Sequence, residues 1–175
     1  MSAPDHFSLL ALPARFAIDL GELEAAYKRV QTQVHPDRFA VASAAEKRVA
    51  MQWATRANEA FSVLRDPLRR AAYLCERHGA AIDAESNTTM PAPFLMRLMQ
   101  WREALDEVTE TASEADRMRL QAEVAAEHAR IVAELGRKLD DEQDYAGAAA
   151  LVRQLMFIDK FDREVAYAVR VAQGH

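Results

Sequence analysis

The sequence contains a single cysteine, Cys75, among 175 residues. One cysteine excludes an intrachain disulfide framework and any multi-cysteine metal or iron–sulfur site within this chain. With 5 glycines and 6 prolines, the composition is also unlike that of a fibrous or disordered protein. Low glycine content and frequent Ala, Leu, Glu and Arg favour helices, and a 50% apolar share is enough to build a core.

Long apolar runs are missing as well. No run approaches the roughly 18 residues that a membrane span requires. The first twelve residues lack the basic stretch followed by an apolar segment that is typical of a signal peptide. We therefore expect an intracellular, cytoplasmic protein that makes no membrane contact.

The net charge of -5 is unevenly distributed along the chain. Residues 1–78 carry 11 Lys and Arg against 9 Asp and Glu, whereas residues 79–175 carry 11 against 18. An acidic protein is a poor general nucleic-acid binder, because that affinity depends largely on neutralising phosphates. We expect no nucleic-acid partner, and the two oppositely charged parts of the chain are expected to face different partners.

An amphipathic helix is predicted over residues 19–34. Asp19 and Glu22 resemble a capping box, in which two side chains satisfy free N–H groups at a helix start. Pro36 lacks an N–H and pushes His35 out of the helical region, so the helix should end there. Apolar residues recur between these limits at the three- and four-residue steps of one helix face: Leu20, Leu23, Tyr27, Val30 and Val34.

A second helix is predicted to begin at Ser43, which forms a stronger capping box with Glu46. Its apolar stripe consists of Val49, Trp53, Ala57, Ala60 and Leu64. The two stripes can pack as an antiparallel hairpin, with Trp53 in the core. Asp66 as the N-cap and Pro67 at the first helical position then predict a short third helix that ends near residue 79.

The second half of the chain predicts a three-helix bundle. Residues 79–93 have no helical period and are rich in turn-forming residues, so they are interpreted as a linker. Helices are predicted over about 94–110, 113–139 and 145–171, and their short connections make them antiparallel neighbours. The acidic run at residues 140–142, which starts with Asp140, is interpreted as a solvated turn. We therefore expect an all-α fold with domains at residues 1–78 and 94–175.

The tripeptide His35-Pro36-Asp37 lies at the predicted connection between two antiparallel helices. Proline fixes the backbone there at little entropic cost, and the imidazole and carboxylate are held at the tip, free to make charge-assisted bonds. Such a tripeptide arises by chance in roughly 1% of chains of this length and composition. The alternative is that it is only a helix-stopping turn.

The helix predicted from residue 94 carries apolar side chains on two faces. At about 100° per residue, its core stripe consists of Phe94, Leu98, Trp101, Leu105 and Val108. Leu95, Met96 and Met99 point away from that stripe, at roughly 100°, 200° and 140° from Phe94. Because a three-helix bundle buries one stripe per helix, this second patch indicates a partner surface or, alternatively, contact with the N-terminal half or the linker.

Several segments resemble known co-chaperones. Residues 27–39, with the His-Pro-Asp tripeptide, and residues 58–67 and 70–74 resemble the J-domain of DnaJ-type co-chaperones. More specifically, residues 7–13 (FSLLALP), 94–107 (FLM and REALDE) and 152–160 (VRQLMFIDK) resemble the HscB family, the J-type co-chaperones of iron–sulfur cluster biogenesis. The resemblance covers nearly the whole chain, and no Gly/Phe-rich stretch or zinc-binding cysteine motif follows the J-domain.

The resemblance implies an L-shaped, two-domain co-chaperone with no catalytic residue, metal or cofactor of its own. Its J-domain would dock on HscA, a DnaK-type chaperone, and stimulate the ATPase of that partner, while its bundle brings the iron–sulfur scaffold protein IscU as client. The residues implied in chaperone binding are His35, Pro36 and Asp37 in the stimulating motif, with Lys28, Arg29 and Arg38 beside it. Those implied in scaffold binding are Leu95, Met96, Met99, Gln100, Glu103, Glu107 and Phe157.

Two of the scaffold-binding positions depart from the family pattern. Met99 stands where leucine is usual, which conserves volume and should cost little. Gln100 stands where glutamate is usual, which removes a charge and weakens an ionic contact.

The basic residues, the bundle and the single cysteine each have a second interpretation. Lys28 and Arg29 are equally consistent with a solvated helix face. We expect the protein to be a monomer. The alternative is that the bundle is a dimerisation or adaptor module and that the J-domain serves a different client. Cys75 and His78 lie three residues apart but lack an orienting third group, so Cys75 is expected to be buried rather than catalytic.

Overall fold

The computed structural model describes residues 5–39, 42–83, 89–111 and 113–173. These ranges contain helices and no strand, which confirms the all-α prediction. The α-helices are α1 (His6–Leu9), α2 (Leu20–Val34), α3 (Ala44–Arg65), α4 (Pro67–Arg77), α5 (Ala92–Thr111), α6 (Glu114–Gly136) and α7 (Tyr145–Gln173). A 3₁₀ turn over Pro36–Phe39 follows α2, and a π-helical turn over Arg137–Asp141 follows α6.

The predicted caps account for the starts of the N-terminal helices. The Asp19 carboxylate accepts the N–H of Glu22 at 2.8 Å. At α3 the capping box is complete, because Ser43 Oγ accepts the N–H of Glu46 at 3.3 Å while the Glu46 carboxylate accepts the N–H of Ser43 at 2.8 Å. Asp66 caps α4 through its side chain. Each cap satisfies backbone donors that the first helical turn leaves free.

Helices α2 and α3 form the predicted antiparallel hairpin, and α1 packs across α3. The ring of Tyr27 stacks on Phe61 at a centroid distance of 4.3 Å, and its hydroxyl donates to Asn58 Oδ1 at 2.7 Å. The hairpin core is made of small and aliphatic side chains: Leu23, Ala26, Ala57, Ala60 and Leu64.

The assignment of Trp53 to the core was wrong. The Trp53 side chain is 38% exposed, and Val49, one turn earlier, is 52% exposed. Because the hairpin is antiparallel, the Tyr27–Phe61 contact places the end of α2 level with Trp53. Ala50, in the same turn as Val49, is only 6% exposed, and the 3₁₀ turn that follows α2 packs against α3. The stripe was therefore correct at Ala57, Ala60 and Leu64, whereas in the first turns of α3 the buried position is Ala50 and not Val49.

Helices α5, α6 and α7 pack together as the predicted bundle. Trp101 is buried, as predicted, and its ring stacks on Phe161 at 5.7 Å. Two turns earlier on each helix, Phe94 and Gln154 line the same cleft. These two pairings show that α5 and α7 run in the same direction. The α6–α7 core is aliphatic: Leu120, Val124, Ile131, Leu135, Val152, Leu155, Ile158 and Val165.

Asp140 joins the N-terminal segment to the bundle. Its carboxylate accepts the N–H of Phe16 at 2.6 Å and that of Ala17 at 2.8 Å, and only 10% of its side chain is exposed. The interpretation of this run as a solvated turn was therefore wrong for Asp140. Nothing in the local pattern indicates that a segment 124 residues earlier in the chain lies against it.

Further contacts extend this junction. Helix α4 packs along α7. The His78 ring stacks on Tyr145 at 3.9 Å, and Arg153 Nη1 donates to the Ile82 carbonyl at 3.1 Å. The N-terminal part of the chain is thus packed against the bundle through α4 and through the segments that precede α2 and follow α4.

Candidate functional site

The His-Pro-Asp segment lies at the outer end of the α2–α3 hairpin. His35, with φ −59° and ψ 134°, leaves the helix because Pro36 follows it. The N–H of Arg38 donates to the His35 carbonyl at 3.0 Å, which closes the turn over the motif. The His35 side chain is exposed. The side chains of Pro36 and Asp37 lie outside what the structure describes, so their roles stay predictions.

The predicted basic residues lie at the surface beside this segment. Lys28 and Arg29 are exposed on α2, and Lys28 Nζ lies 3.2 Å from Glu24 Oε1. Such an exposed pair contributes little to stability and leaves the lysine available. Arg38 is exposed as well, and its Nη1 donates to the Thr32 carbonyl at 3.4 Å. These contacts hold cationic groups near the hairpin end without burying them.

The second apolar patch of α5 is exposed. Leu95, Met96 and Met99 are 45%, 62% and 63% exposed, whereas Trp101 on the opposite face is buried. Most of each methionine side chain lies in solvent, so neither methionine is packed against the described residues of the N-terminal half or of the linker. The predicted polar residues of the same helix are also exposed: Gln100, Glu103 and Glu107.

Phe157 lies on α7 at the level of this patch. It precedes Phe161, the stacking partner of Trp101, by one turn, and α5 and α7 run in the same direction. The Phe157 side chain is 42% exposed. The structure therefore places Phe157 at the same level of the bundle as Met96 and Met99.

Met156 is an exposed residue of this region that the sequence analysis missed. The signal was present, because residues 155–158 are four consecutive apolar residues on one helix. A helix can turn only part of such a run toward its core. Leu155 and Ile158 are fully buried, which leaves Met156 and Phe157 on the surface.

Cys75 is fully buried, as predicted, and burial raises the pKa of its thiol to about 11. The thiol is therefore protonated at neutral pH and is a poor nucleophile. Within the ranges that the structure describes, no cluster of His, Cys, Asp and Glu could hold a metal ion. In the same ranges no helix has the length and hydropathy to cross a membrane.

The sequence is similar to curated co-chaperones over nearly its whole length. It is 52% identical over 168 residues to a co-chaperone protein HscB homolog of Bordetella petrii, which covers 96% of this chain and 98% of the relative. It is 51% identical over 160 residues to the HscB homolog of Burkholderia mallei, with 91% of each chain covered. Residues 90–166 match the family described as the HSCB C-terminal oligomerisation domain.

Solved structures agree with these relatives. Chaperone HscB from Vibrio cholerae superposes with a TM-score of 0.83 at 33% sequence identity, covering 97% of this chain and 99% of that one. Human co-chaperone HscB gives a TM-score of 0.86 at 26% identity, covering 94% and 81%. An N-terminal J-domain followed by a helical C-terminal domain is thus the shared architecture. The chain belongs to the HscB family of co-chaperones.

Proposed function

We propose that this protein is the J-type co-chaperone of an iron–sulfur cluster assembly system. Its J-domain, residues 1–78, stimulates the ATPase of an HscA-type chaperone. Its bundle, residues 94–175, delivers the scaffold protein IscU to that chaperone. The protein regulates a partner enzyme and carries out no reaction itself. It works by coupling, because binding both partners raises the local concentration of the client at the ATPase.

The end of the hairpin supports the chaperone contact. His35 is exposed where α2 stops, and Lys28, Arg29 and Arg38 add positive charge around it. Residues 1–78 also have a small excess of basic residues. A surface of this kind suits an acidic partner, since charge complementarity speeds encounter and fixes orientation. In this proposal His35, Pro36 and Asp37 are the stimulating motif.

The exposed patch on α5 carries the scaffold-binding part of the proposal. Leu95, Met96 and Met99 hold apolar area in solvent although the opposite face of the helix is already packed into the bundle, with Phe94, Trp101 and Val108 buried. Methionine side chains are flexible and adapt to a partner surface. Phe157 adds an aromatic anchor at the same level, and Glu103 and Glu107 supply charge at the rim. Gln100 completes the proposed contact set.

The experiment that tests the proposal is a steady-state ATPase assay. An HscA-type chaperone is titrated with this protein, with and without IscU. We expect the two together to stimulate hydrolysis by more than the sum of their separate effects, because one protein bridges client and ATPase. Stimulation that is indifferent to IscU would show a working J-domain whose client is another protein.

Asp37→Asn is the matched variant for this assay. It removes one charge from the motif and should abolish stimulation while leaving helicity and IscU binding unchanged. Circular dichroism and isothermal titration calorimetry with IscU provide the two controls. Full stimulation by Asp37→Asn would contradict the proposed mechanism.

A second candidate function follows from the description of the matched family as an oligomerisation domain. The bundle would then join copies of this chain and serve a different client. We propose instead that the protein is a monomer. Analytical ultracentrifugation shows whether the chain is a monomer or a dimer, and methionine oxidation shows whether Met96 and Met99 are covered. A stable homodimer in which both methionines are protected from oxidation would favour the oligomerisation function.

A further inference from the structure

A polar cleft lies at the amino end of α5, where this helix meets α6 and α7. Its volume is about 330 Å³, at the lower end of the range of small-molecule sites. One wall is apolar and consists of Pro91, Pro93 and the ring of Phe94. The remaining lining of the cleft is polar and contains two arginines, a glutamate and a glutamine from three different helices. The cleft is separate from the exposed apolar patch of α5.

The charged part of the cleft is a preorganised cluster. The buried carboxylate of Glu127 accepts from Arg130 Nε at 3.0 Å and Nη2 at 2.7 Å, and it also accepts from Arg97 Nη1. The hydrogen bond from Arg130 and the charges of both arginines hold the pKa of Glu127 below its usual value. Two guanidinium groups thus face one carboxylate, which leaves one positive charge uncompensated within the cluster.

The arginines keep donors for a further ligand. The side chains of Arg97 and Arg130 are 49% and 57% exposed although both are tied to Glu127. Each guanidinium has five N–H donors, of which the shared carboxylate uses only one or two. A second carboxylate can therefore bind to guanidinium groups whose positions are already fixed.

Gln154 is the observation that points to a ligand. Its side chain is only 7% exposed and lines the cleft. No hydrogen bond joins its amide to any residue in the described parts of the chain. The amide atoms are not among the polar atoms shielded from solvent, so the amide opens into the cleft, where a ligand can replace the water it contacts. An amide at this place can donate to one ligand atom and accept from another.

We propose that this cleft binds a small carboxylate-bearing group. The carboxylate contacts the free N–H groups of Arg97 and Arg130, a polar atom of the ligand bonds to the Gln154 amide, and the carbon skeleton lies against Phe94. The dipole of α5 adds to the favourable potential at its amino end. The carboxylate comes either from a free small acid or from an acidic side chain of a bound protein. The inference is independent of the proposed function.

Nuclear magnetic resonance of the full-length ¹⁵N-labelled protein tests the proposal. The probes are glutarate, an Asp-Glu dipeptide blocked at both ends, and inorganic sulfate. We expect saturable shifts of the Gln154 side-chain amide and of the Arg97 and Arg130 Nε–H signals, with a dissociation constant of about 1 mM. Binding of glutarate identifies a site for free acids, and binding of the dipeptide alone identifies a site for protein side chains.

Variants decide whether the named residues form the site. Gln154→Leu should weaken binding about fivefold, as expected for the loss of one hydrogen bond. Arg97→Gln should also weaken binding of the acidic probes. Arg130 continues to hold Glu127 in this variant, so the remaining cluster stays in place. Arg119→Gln, a change at an exposed arginine of α6, is the matched control and should leave affinity unchanged. Thermal melting establishes that each variant is folded.

Three results would overturn the proposal. The first is the absence of saturable shifts with both acidic probes up to about 20 mM, which is about twenty times the expected dissociation constant. The second is equal affinity of folded Gln154→Leu and the unchanged protein. The third is sulfate binding as tight as glutarate binding. The last result would identify nonspecific attraction of anions to two arginines.

Discussion

Cys75 illustrates how burial controls the chemistry of a single side chain. It lies on α4 at the junction with the bundle and is fully buried, and that burial raises the pKa of its thiol to about 11. The sequence alone predicted burial, because a lone cysteine in a helix stripe usually behaves as a small apolar residue. The size of the pKa shift depends on the neighbours that cover the thiol and needed the structure.

We expect native Cys75 to resist alkylation. At pH 8 the thiolate fraction of a group with this pKa is at least about 100-fold smaller than that of a free cysteine, and only the thiolate reacts. Iodoacetamide labelling followed by mass spectrometry measures the rate, with labelling in urea as the control. Equal rates in the folded and unfolded protein would show that Cys75 is accessible and ionised.

At the scale of helices, α5 shows how much a sequence pattern can predict. The two apolar faces of this helix follow from residue spacing alone, and the structure has Trp101 buried and Met96 exposed. The caps at Asp19, Ser43 and Asp66 were equally predictable, because each depends on residues within one turn. Local signals thus define where helices begin and which face they bury.

Changing Leu95, Met96 and Phe157 together to Ser should weaken IscU binding at least about tenfold, because the three side chains supply the proposed apolar contact. Stability should change little, since each position is already exposed. Isothermal titration calorimetry measures affinity, and circular dichroism measures helicity. Met118→Ser, an equally exposed methionine on α6, is the control. Unchanged affinity in the triple variant would exclude this patch as the client surface.

The burial of a side chain by a segment far away in the same chain could not be predicted from the sequence. Trp53 follows the helical spacing of the buried Ala57, Ala60 and Leu64 and is nevertheless 38% exposed, at the level where α2 ends. Gln154 is indistinguishable from a surface glutamine until α5, α6 and α7 are packed around it. The cleft at the amino end of α5 is therefore a property of the packed bundle, and no single helix contains it.

At the scale of the molecule, the N-terminal part of the chain and the bundle are held together by contacts between segments far apart in sequence. Asp140 receives two backbone N–H groups from residues 16 and 17, and α4 packs along α7. The relative position of the two proposed partner surfaces is set by this junction. A protein that brings a client to an ATPase benefits from such a fixed arrangement, because less orientational freedom is lost when both partners bind.

Asp140→Asn should lower the free energy of unfolding by about 2 kcal/mol, because an amide replaces one of two acceptor oxygens and both partners are backbone N–H groups. Urea denaturation followed by circular dichroism measures the loss. Asp141→Asn, at the exposed neighbouring residue, provides the control and should change stability by less than about 0.5 kcal/mol. Equal stability of the two variants would assign Asp140 to the solvated surface.

The two tryptophans give each half of the molecule its own optical reporter. Trp53 lies partly in water near the outer end of the hairpin, whereas Trp101 is enclosed in the bundle against Phe161. Indole fluorescence shifts to longer wavelength in water, so the two residues emit at different wavelengths without any added label. Chaperone docking at the hairpin and loosening of the bundle can therefore be followed separately in one unmodified sample.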